Sequence, residues 1–456
     1  MHGKNESCST TKGISIVIYT FIEAAFDRGT EMAIGVAGDS VTAVQAPTRN
    51  YTVPLTLMVS LYFGIGFITA LNDILVPHFK DLFHLTNVTA LLVQFCFFGA
   101  YFVMSLPSGW IVGRIGYKRG IVVALSIMGL GLLLFLPASI IIFYPLFLFA
   151  LFVVGSGLAL LQVAINPYVG ALGKPETAAS RLNLAGFANS LAGWRAPKIG
   201  AAFIFVAASA SAAQLAYSVR TPYMILSGLA FLMAIVTYFV HLPDVVEARE
   251  KNSFTDGSAW KFRHLRLGAV GIFVYVGAEV AIGSLMINFL GQPSMGSMSH
   301  AAAAEYVSLY WGGAMVGRLI GFFALKWISA PKALTFVAVL ASLFVAVAIL
   351  GHGHVAMWAI VSCGLFNSVM WPCIFPMSVA GLGKFTSQGS GILITMVVGG
   401  AVIPEIQGLL ADAFGYQRSF AIVLLCYLYI LFFALKGYRN VNAVEATNTF
   451  NPGVIQ

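Results

Sequence analysis

LALLQVAINPYVGAL, residues 158–172, carries no charge over fifteen residues, and its polar side chains are confined to Gln162, Asn166 and Tyr168. IVLLCYLYILFFAL, residues 422–435, reads the same way near the other end of the chain. Neither stretch alternates polar and apolar residues at period two, as a membrane β-barrel strand must. Unbroken runs of this kind spell helices that are apolar all round. Such runs fill most of the 456 residues: 59% are hydrophobic and 9% are charged, with a mean hydropathy of +0.88. A water-soluble domain usually carries about 25% charge. This chain has too little polar surface to face water, and it has room for about a dozen helices of about 20 apolar residues each.

The runs predict helices over 53–76, 89–112, 120–136, 142–170, 182–207, 222–240, 267–290, 302–325, 333–350, 355–380, 388–411 and 418–437. The longest polar interruption, DVVEAREKNSFTDGSAWKFRHLR at 244–266, divides them into six and six. The expected organisation is a poorly ordered extension over 1–50, a six-helix bundle over 51–243, a linker over 244–266, a second bundle over 267–437 and a tail over 438–456. Within the extension, ISIVIYTFIEAAF (14–26) is too short to span a membrane, contains Glu23 and is not followed by a signal-peptide cleavage pattern. The net charge of +8 is no nucleic-acid surface, because the bases sit in short loops where they set topology. Arg114, Lys118, Arg119, Lys174, Arg181, five linker bases, Lys326, Lys332, Lys384, Lys436 and Arg439 fall on one side, fifteen against Lys80, Arg220 and Arg418 on the other. By the positive-inside rule, linker and both termini are cytoplasmic. Of the five cysteines, Cys96, Cys363, Cys373 and Cys426 lie in apolar runs and Cys8 does not; no pair forms CxxC, which reads as small buried hydrophobes.

Two loops correspond between the halves. GWIVGRIGYKRG (109–120) follows the second helix and GRLIGFFALKWISAPKA (317–333) the eighth, each with helix-end glycines, an arginine and a basic turn. Gly109, Arg114, Gly116, Lys118 and Arg119, with Gly317 and Arg318, are expected to act as a conformational loop motif, since glycine lets helices approach closely. Two six-helix halves with matching loops resemble the major facilitator architecture, in which a site between the halves opens alternately to each side. In that family an acidic residue is usual where Gly113 stands, which weakens the charge lock of the first loop.

Longer strings make the resemblance specific. LNDILVPHFKDLF (71–83), LLVQFCFFGAYFVMSLPSGWIVGRIGYKRGIVV (91–123), LQVAINPYVGALG (161–173), SRLNLAGFANSL (180–191), YVGAEVAIGS (275–284), YVSLYWGGAMVGRLIG (306–321), FNSVMWPCIFP (366–376) and SQGSGILITMVVGGAVIPEIQGLLAD (387–412) look like the fucose–galactose–glucose–hexose proton symporters, especially their glucose/galactose branch. The resemblance runs from about residue 53 to 437. It implies an all-α, twelve-helix, multi-pass transporter of the bacterial inner membrane, a monomer that is no enzyme and takes a small-molecule sugar. No GxxxxGK[ST] loop occurs, so an ion or sugar gradient supplies the energy. No cofactor or metal is expected, only a coupling ion, H+ or Na+. The rival reading is a transport-impaired homologue or a sugar-sensing membrane receptor.

Ionisable side chains within spans are costly and mark function. Asp73, Glu279 and Glu405 lie inside predicted helices. Burial disfavours a charged carboxylate, so Asp73 is suited to exchange a proton, and the family assigns its first-helix aspartate to that task. Glu279, on the helix that corresponds to the first, is the second candidate for ion coupling, with a hydrogen bond to Arg318 as its structural alternative. Fucose-transporting members pair the aspartate with a fourth-helix glutamate. Gln162 stands there in this chain and cannot titrate, which leaves a single-acid proton mechanism or sodium coupling. Sugar recognition needs amides for hydroxyls and aromatic faces for the C–H side of the ring. Asn72, Gln162, Asn166, Asn183, Asn189, Asn367 and Gln388 are the candidate amides, and Trp311 and Trp371 the candidate rings. One stretch departs from the family: GWRAPKIG (193–200) puts Trp194, Arg195 and Lys198 inside the fifth helix. If Asp73 couples the ion, Asp73→Asn abolishes sugar accumulation while exchange of sugar across the membrane persists. Undiminished accumulation by this variant in proteoliposomes would remove Asp73 from the mechanism.

Overall fold

In a bilayer every backbone N–H and C=O must be satisfied within the chain, which long helices achieve one segment at a time. The computed structural model describes residues 51–439 except 86–88, 90, 91, 205–211, 244–256 and 296, and those it describes form helices and no strand. The helices are α1 (Thr52–Phe83), α2 (Leu92–Ile115), α3 (Tyr117–Leu133, extended by Phe135–Ile141), α4 (Tyr144–Ala171), α5 (Ala178–Ile204) and α6 (Arg220–Phe239). After the linker come α7 (Arg263–Leu290), α8 (His300–Ala324), α9 (Ala330–Leu350) and α10 (Gly353–Val379). Then α11 runs as Thr386–Thr395 and Gly399–Phe414 about a 3-10 turn, and α12 is Ala421–Phe432. Eleven of these are long and apolar enough to cross a membrane; the twelfth, α5, is diluted by residues such as Asn183, Asn189 and Arg195. The expectations for 1–50 and most of those for 244–266 and 438–456 lie outside the described residues.

Most helix ends shift by a few residues from the sequence expectation, and two of the shifts have a clear physical cause. α1 continues past Pro77 to Phe83, since one proline removes one backbone bond and leaves the flanking bonds intact. α7 starts at Arg263 rather than 267, so its first turn takes up the basic end of the linker. Arg181 is another adjustment. It is not a loop cation but is 7% exposed, donating to the carbonyls of Val169, Gly170 and Lys174. Val169 and Gly170 offer orphan acceptors at the end of α4, and Lys174 lies in the turn that follows.

Met1–Thr56 and Leu57–Gln456 are separate units, and the helix packing described here is that of the second. The same pairings recur in each half: α4 lies on α2 and α3, with α3 on α6, while α10 lies on α8 and α9, with α9 on α12. The halves meet where α2 packs on Thr386–Val398 of α11 and where α5 packs on α8. Beyond Val398, α11 packs chiefly on α7.

The named contacts across both seams lie toward the end that carries Arg114, Lys118, Lys326 and Lys384. Ser180 donates to the Phe322 carbonyl at 2.5 Å and Ser390 to the Val163 carbonyl at 2.9 Å. A Cβ at Gly109 would come within 2.7 Å of the Ser387 carbonyl, and one at Gly391 within 2.7 Å of the Ser105 carbonyl. Only glycine allows the α2 and α11 backbones to approach this closely. The fold is therefore closed at its basic end. Gly391→Val must push the two helices apart, at a cost of about 1–3 kcal/mol. Its melting temperature in detergent falls, whereas Gly408→Ala, where nothing lies within 4 Å, leaves it near the original. An unchanged value for Gly391→Val would refute the closed seam.

Candidate functional site

The polar residues singled out in the sequence form three groups. In the first half, the Tyr62 hydroxyl of α1 donates to Asn166 Oδ1 on α4, and Asn166 Nδ2 returns a bond to the Gln162 carbonyl at 2.8 Å. Gln162 Nε2 reaches the Tyr101 hydroxyl of α2 at 3.0 Å. Asn189 of α5 donates to the Tyr62 carbonyl at 3.2 Å. Gly66 makes this possible, because any Cβ there would overlap the Asn189 carbonyl. Asn72 donates to Gln94 at 2.8 Å, tying α1 to α2, while its buried Oδ1 has no hydrogen-bond partner among the described residues. Asp73 follows it on α1, but its side chain lies outside the described residues, as does that of Lys198.

The second group belongs to the second half. Asn367 of α10 is fully buried between two phenols: its Nδ2 donates to the Tyr310 hydroxyl at 2.8 Å, and its Oδ1 accepts from Tyr427 at 2.6 Å. Tyr310 donates in turn to the Glu279 carbonyl at 2.9 Å. Nearby, Trp371 stacks on Phe375 at 5.8 Å between ring centroids and leans toward Tyr275 at 6.4 Å.

The third group joins the halves. Arg318 of α8 donates to the Gly186 carbonyl at 3.3 Å and to Ser190 Oγ, both on α5. Its other terminal nitrogen stands 4.0 Å from Glu279 Oε1, beside the Tyr275 hydroxyl. That spacing is an ion pair without a direct hydrogen bond, and Glu279 Oε1 has no hydrogen-bond partner among the described residues. The guanidinium is shared between its own half and the other.

These positions revise part of the loop-motif reading. Arg114 does sit one residue from the end of α2, over the Trp110 ring at 3.7 Å. Gly116 makes the turn into α3 at φ 83°, and Lys118 and Arg119 follow on the first turn of α3. Arg318, however, lies six residues before the end of α8 and points into the centre, because side chains on a helix lean toward its N-terminus. Gly317 faces α10 instead, where a Cβ would meet the Leu365 carbonyl at 2.4 Å. The second loop is thus no copy of the first: its base at the turn is Lys326, 4.4 Å over the Phe322 ring, and partial burial lowers its pKa.

Two candidate amides stand apart from the centre. Gln388 Oε1 accepts from the Ala259 amide at the basic end. Asn183 donates to Ala179 within α5 and packs against Gly321 of α8. Trp311 is half-exposed, with its ring over Gly283 of α7, and Glu405 is exposed on α11. The sequence reading overlooked Gln94, Tyr101, Ser190, Tyr275 and Tyr427. Tyr275 was detectable as the i−4 neighbour of Glu279 on one helix face; Ser190 and Tyr427 carry no local signal of their partners.

Among the described residues, twelve long helices in two matching sets, each with a buried amide network and joined through Arg318, define a membrane transporter of the alternating type. Residues 58–403 match the Major Facilitator Superfamily, and the chain belongs to that family. A glucose/galactose transporter of Brucella abortus is 50% identical over 394 residues, covering 86% of this chain and 96% of that protein. The L-fucose-proton symporter of Escherichia coli is 31% identical over 414 residues, 85% of this chain and 93% of that one. A crystal structure of the facilitator transporter FucP in the outward conformation superposes with a TM-score of 0.76 at 31% identity, covering 85% and 99% of the two chains. These relatives are transporters, and none is named as an enzyme.

Asn367→Ala leaves the buried Tyr427 hydroxyl without its acceptor, a loss of about 1–3 kcal/mol, while Tyr310 keeps its bond to the Glu279 carbonyl. We expect a clear fall in melting temperature in detergent; a value equal to the unsubstituted protein would show that the network does not hold α8, α10 and α12 together.

Proposed function

We propose that this chain imports a hexose, glucose or galactose in keeping with its 50%-identical relatives, by symport with an ion. The observation that carries the reading is Arg318, which holds α5 of one half while standing 4.0 Å from Glu279 of the other. A sugar hydroxyl or a coupling cation arriving at Glu279 changes the partners of Arg318 at the seam that has to part. Binding is thereby linked to which side is open.

The two bundles, 51–243 and 267–437, act as the moving bodies. With the positive-inside rule, the closed basic end faces the cytoplasm, both termini lie there, and the form described opens outward. The membrane is the bacterial inner membrane, and one chain suffices. Asn72, Gln162, Asn166 and Asn189 supply first-half hydrogen bonds to sugar hydroxyls. Asn367 buttresses Tyr310, and Trp371 and Trp311 offer ring faces. Asn183 and Gln388 belong to the closing seam at the cytoplasmic end rather than to the sugar. Asp73 and Glu279 handle the coupling ion, H+ or Na+, with no further cofactor.

Proteoliposomes under an imposed proton or sodium gradient test this. Labelled glucose or galactose accumulates under one of the two gradients, and Glu279→Gln keeps exchange while losing accumulation. Sugar binding with no flux under either gradient would favour a sensor, and full accumulation by Glu279→Gln would remove that residue from coupling.

A further inference from the structure

The stretch GWRAPKIG in α5 has no part in the site so far, although its tryptophan lies at a decisive level. Across the α5–α8 seam, Ser180 meets Phe322, Asn183 meets Gly321 and Gly186 meets Arg318. The helices run antiparallel in this register, so eight residues beyond Gly186 on α5 comes level with eight residues before Arg318 on α8. Trp194 is thereby level with Tyr310 and Trp311.

The faces agree as well. At 3.6 residues per turn, Trp194 lies about 40° around α5 from Ser190, and Trp311 about 20° around α8 from Arg318. Both rings thus project from the helix faces that meet at the Arg318 bridge. Trp194 stands only about 6 Å along α5 beyond Ser190, where the bonded part of the seam ends. The two indoles are 51% and 44% exposed. The Arg195 guanidinium lies 4.5 Å over the Trp194 ring, which orients the indole.

We propose that Trp194 is a substrate-contacting gate residue: with Trp311 it covers the sugar between the Glu279–Arg318 centre and the open end. A pyranose presents C–H groups on the faces of its ring, and an indole face is the group that packs on them while its N–H reaches a hydroxyl. When the open end closes, α5 and α8 approach, and the two indoles come together over the sugar. Bulky aromatics at this level make the closed state depend on an occupant of pyranose thickness. This rests on the sugar-transport reading above.

The test places cysteine at Trp194 in a background whose other cysteines are serine or alanine, and treats proteoliposomes with a membrane-impermeant maleimide from the outside. We expect labelling without sugar and protection when glucose or galactose is added. In kinetics, Trp194→Ala raises the KM for the sugar roughly tenfold, and Trp194→Phe retains most of the affinity, as expected for loss and retention of one aromatic contact. A cysteine that stays unlabelled, as a lipid-facing position would, overturns the proposal, as does labelling that sugar does not slow. Normal flux with an unlabelled cysteine sinks the gate alone; no sugar flux in the unsubstituted protein sinks the transport reading itself.

Discussion

The rest of the structure depends on where one guanidinium finds its partners. A cation inside a membrane protein is expensive unless it is paired or wetted, and a pair that loses one member leaves an uncompensated charge. Arg318 meets this constraint from two directions: the Gly186 carbonyl and Ser190 of α5, and the Glu279 carboxylate of α7. No rigid bundle would need a bridge divided in this way. Its division makes the α5–α8 seam sensitive to whatever happens at Glu279.

The two seams use different physics. At α2–α11 the backbones touch through Gly109 and Gly391, each against a carbonyl of the other helix, and the contact is steric. At α5–α8 the bridge is electrostatic. Parting α11 from the first half is mainly a steric change that gives up one neutral bond, Ser390 to the Val163 carbonyl, whereas the α5–α8 bridge needs replacement partners for a charge. Each half, by contrast, holds a hydrogen-bonded network of its own: Tyr62 with Asn166, and Asn367 with both Tyr310 and Tyr427. Such networks stiffen each half, and in the proposed cycle the seams between the halves are the parts that change.

Much of this was readable from residue order. The runs at 158–172 and 422–435 mark spans because lipid permits few alternatives, and the helix expectations fall within several residues of the observed ends. Glu279 and Asn367 stood out because polar groups in apolar helices are rare. Pairings were not readable. Arg318 looked like the counterpart of Arg114, since each lies between a glycine and an apolar residue near the end of a helix. Which of them turns inward depends on the position of the helix end, six residues after Arg318 and one after Arg114.

By itself, then, the sequence determined the membrane-spanning class, the six-and-six division and the identity of most buried polar residues. Those are set by hydrophobicity, length and charge, which act locally along the chain. Only the tertiary structure decided that Arg318 belongs to the centre, that Gln388 and Asn183 belong to the closed seam, and that Trp194 stands level with Trp311. These are relations between helices far apart in sequence. The crossing register of packed helices sets them, and no local pattern of residues encodes that register.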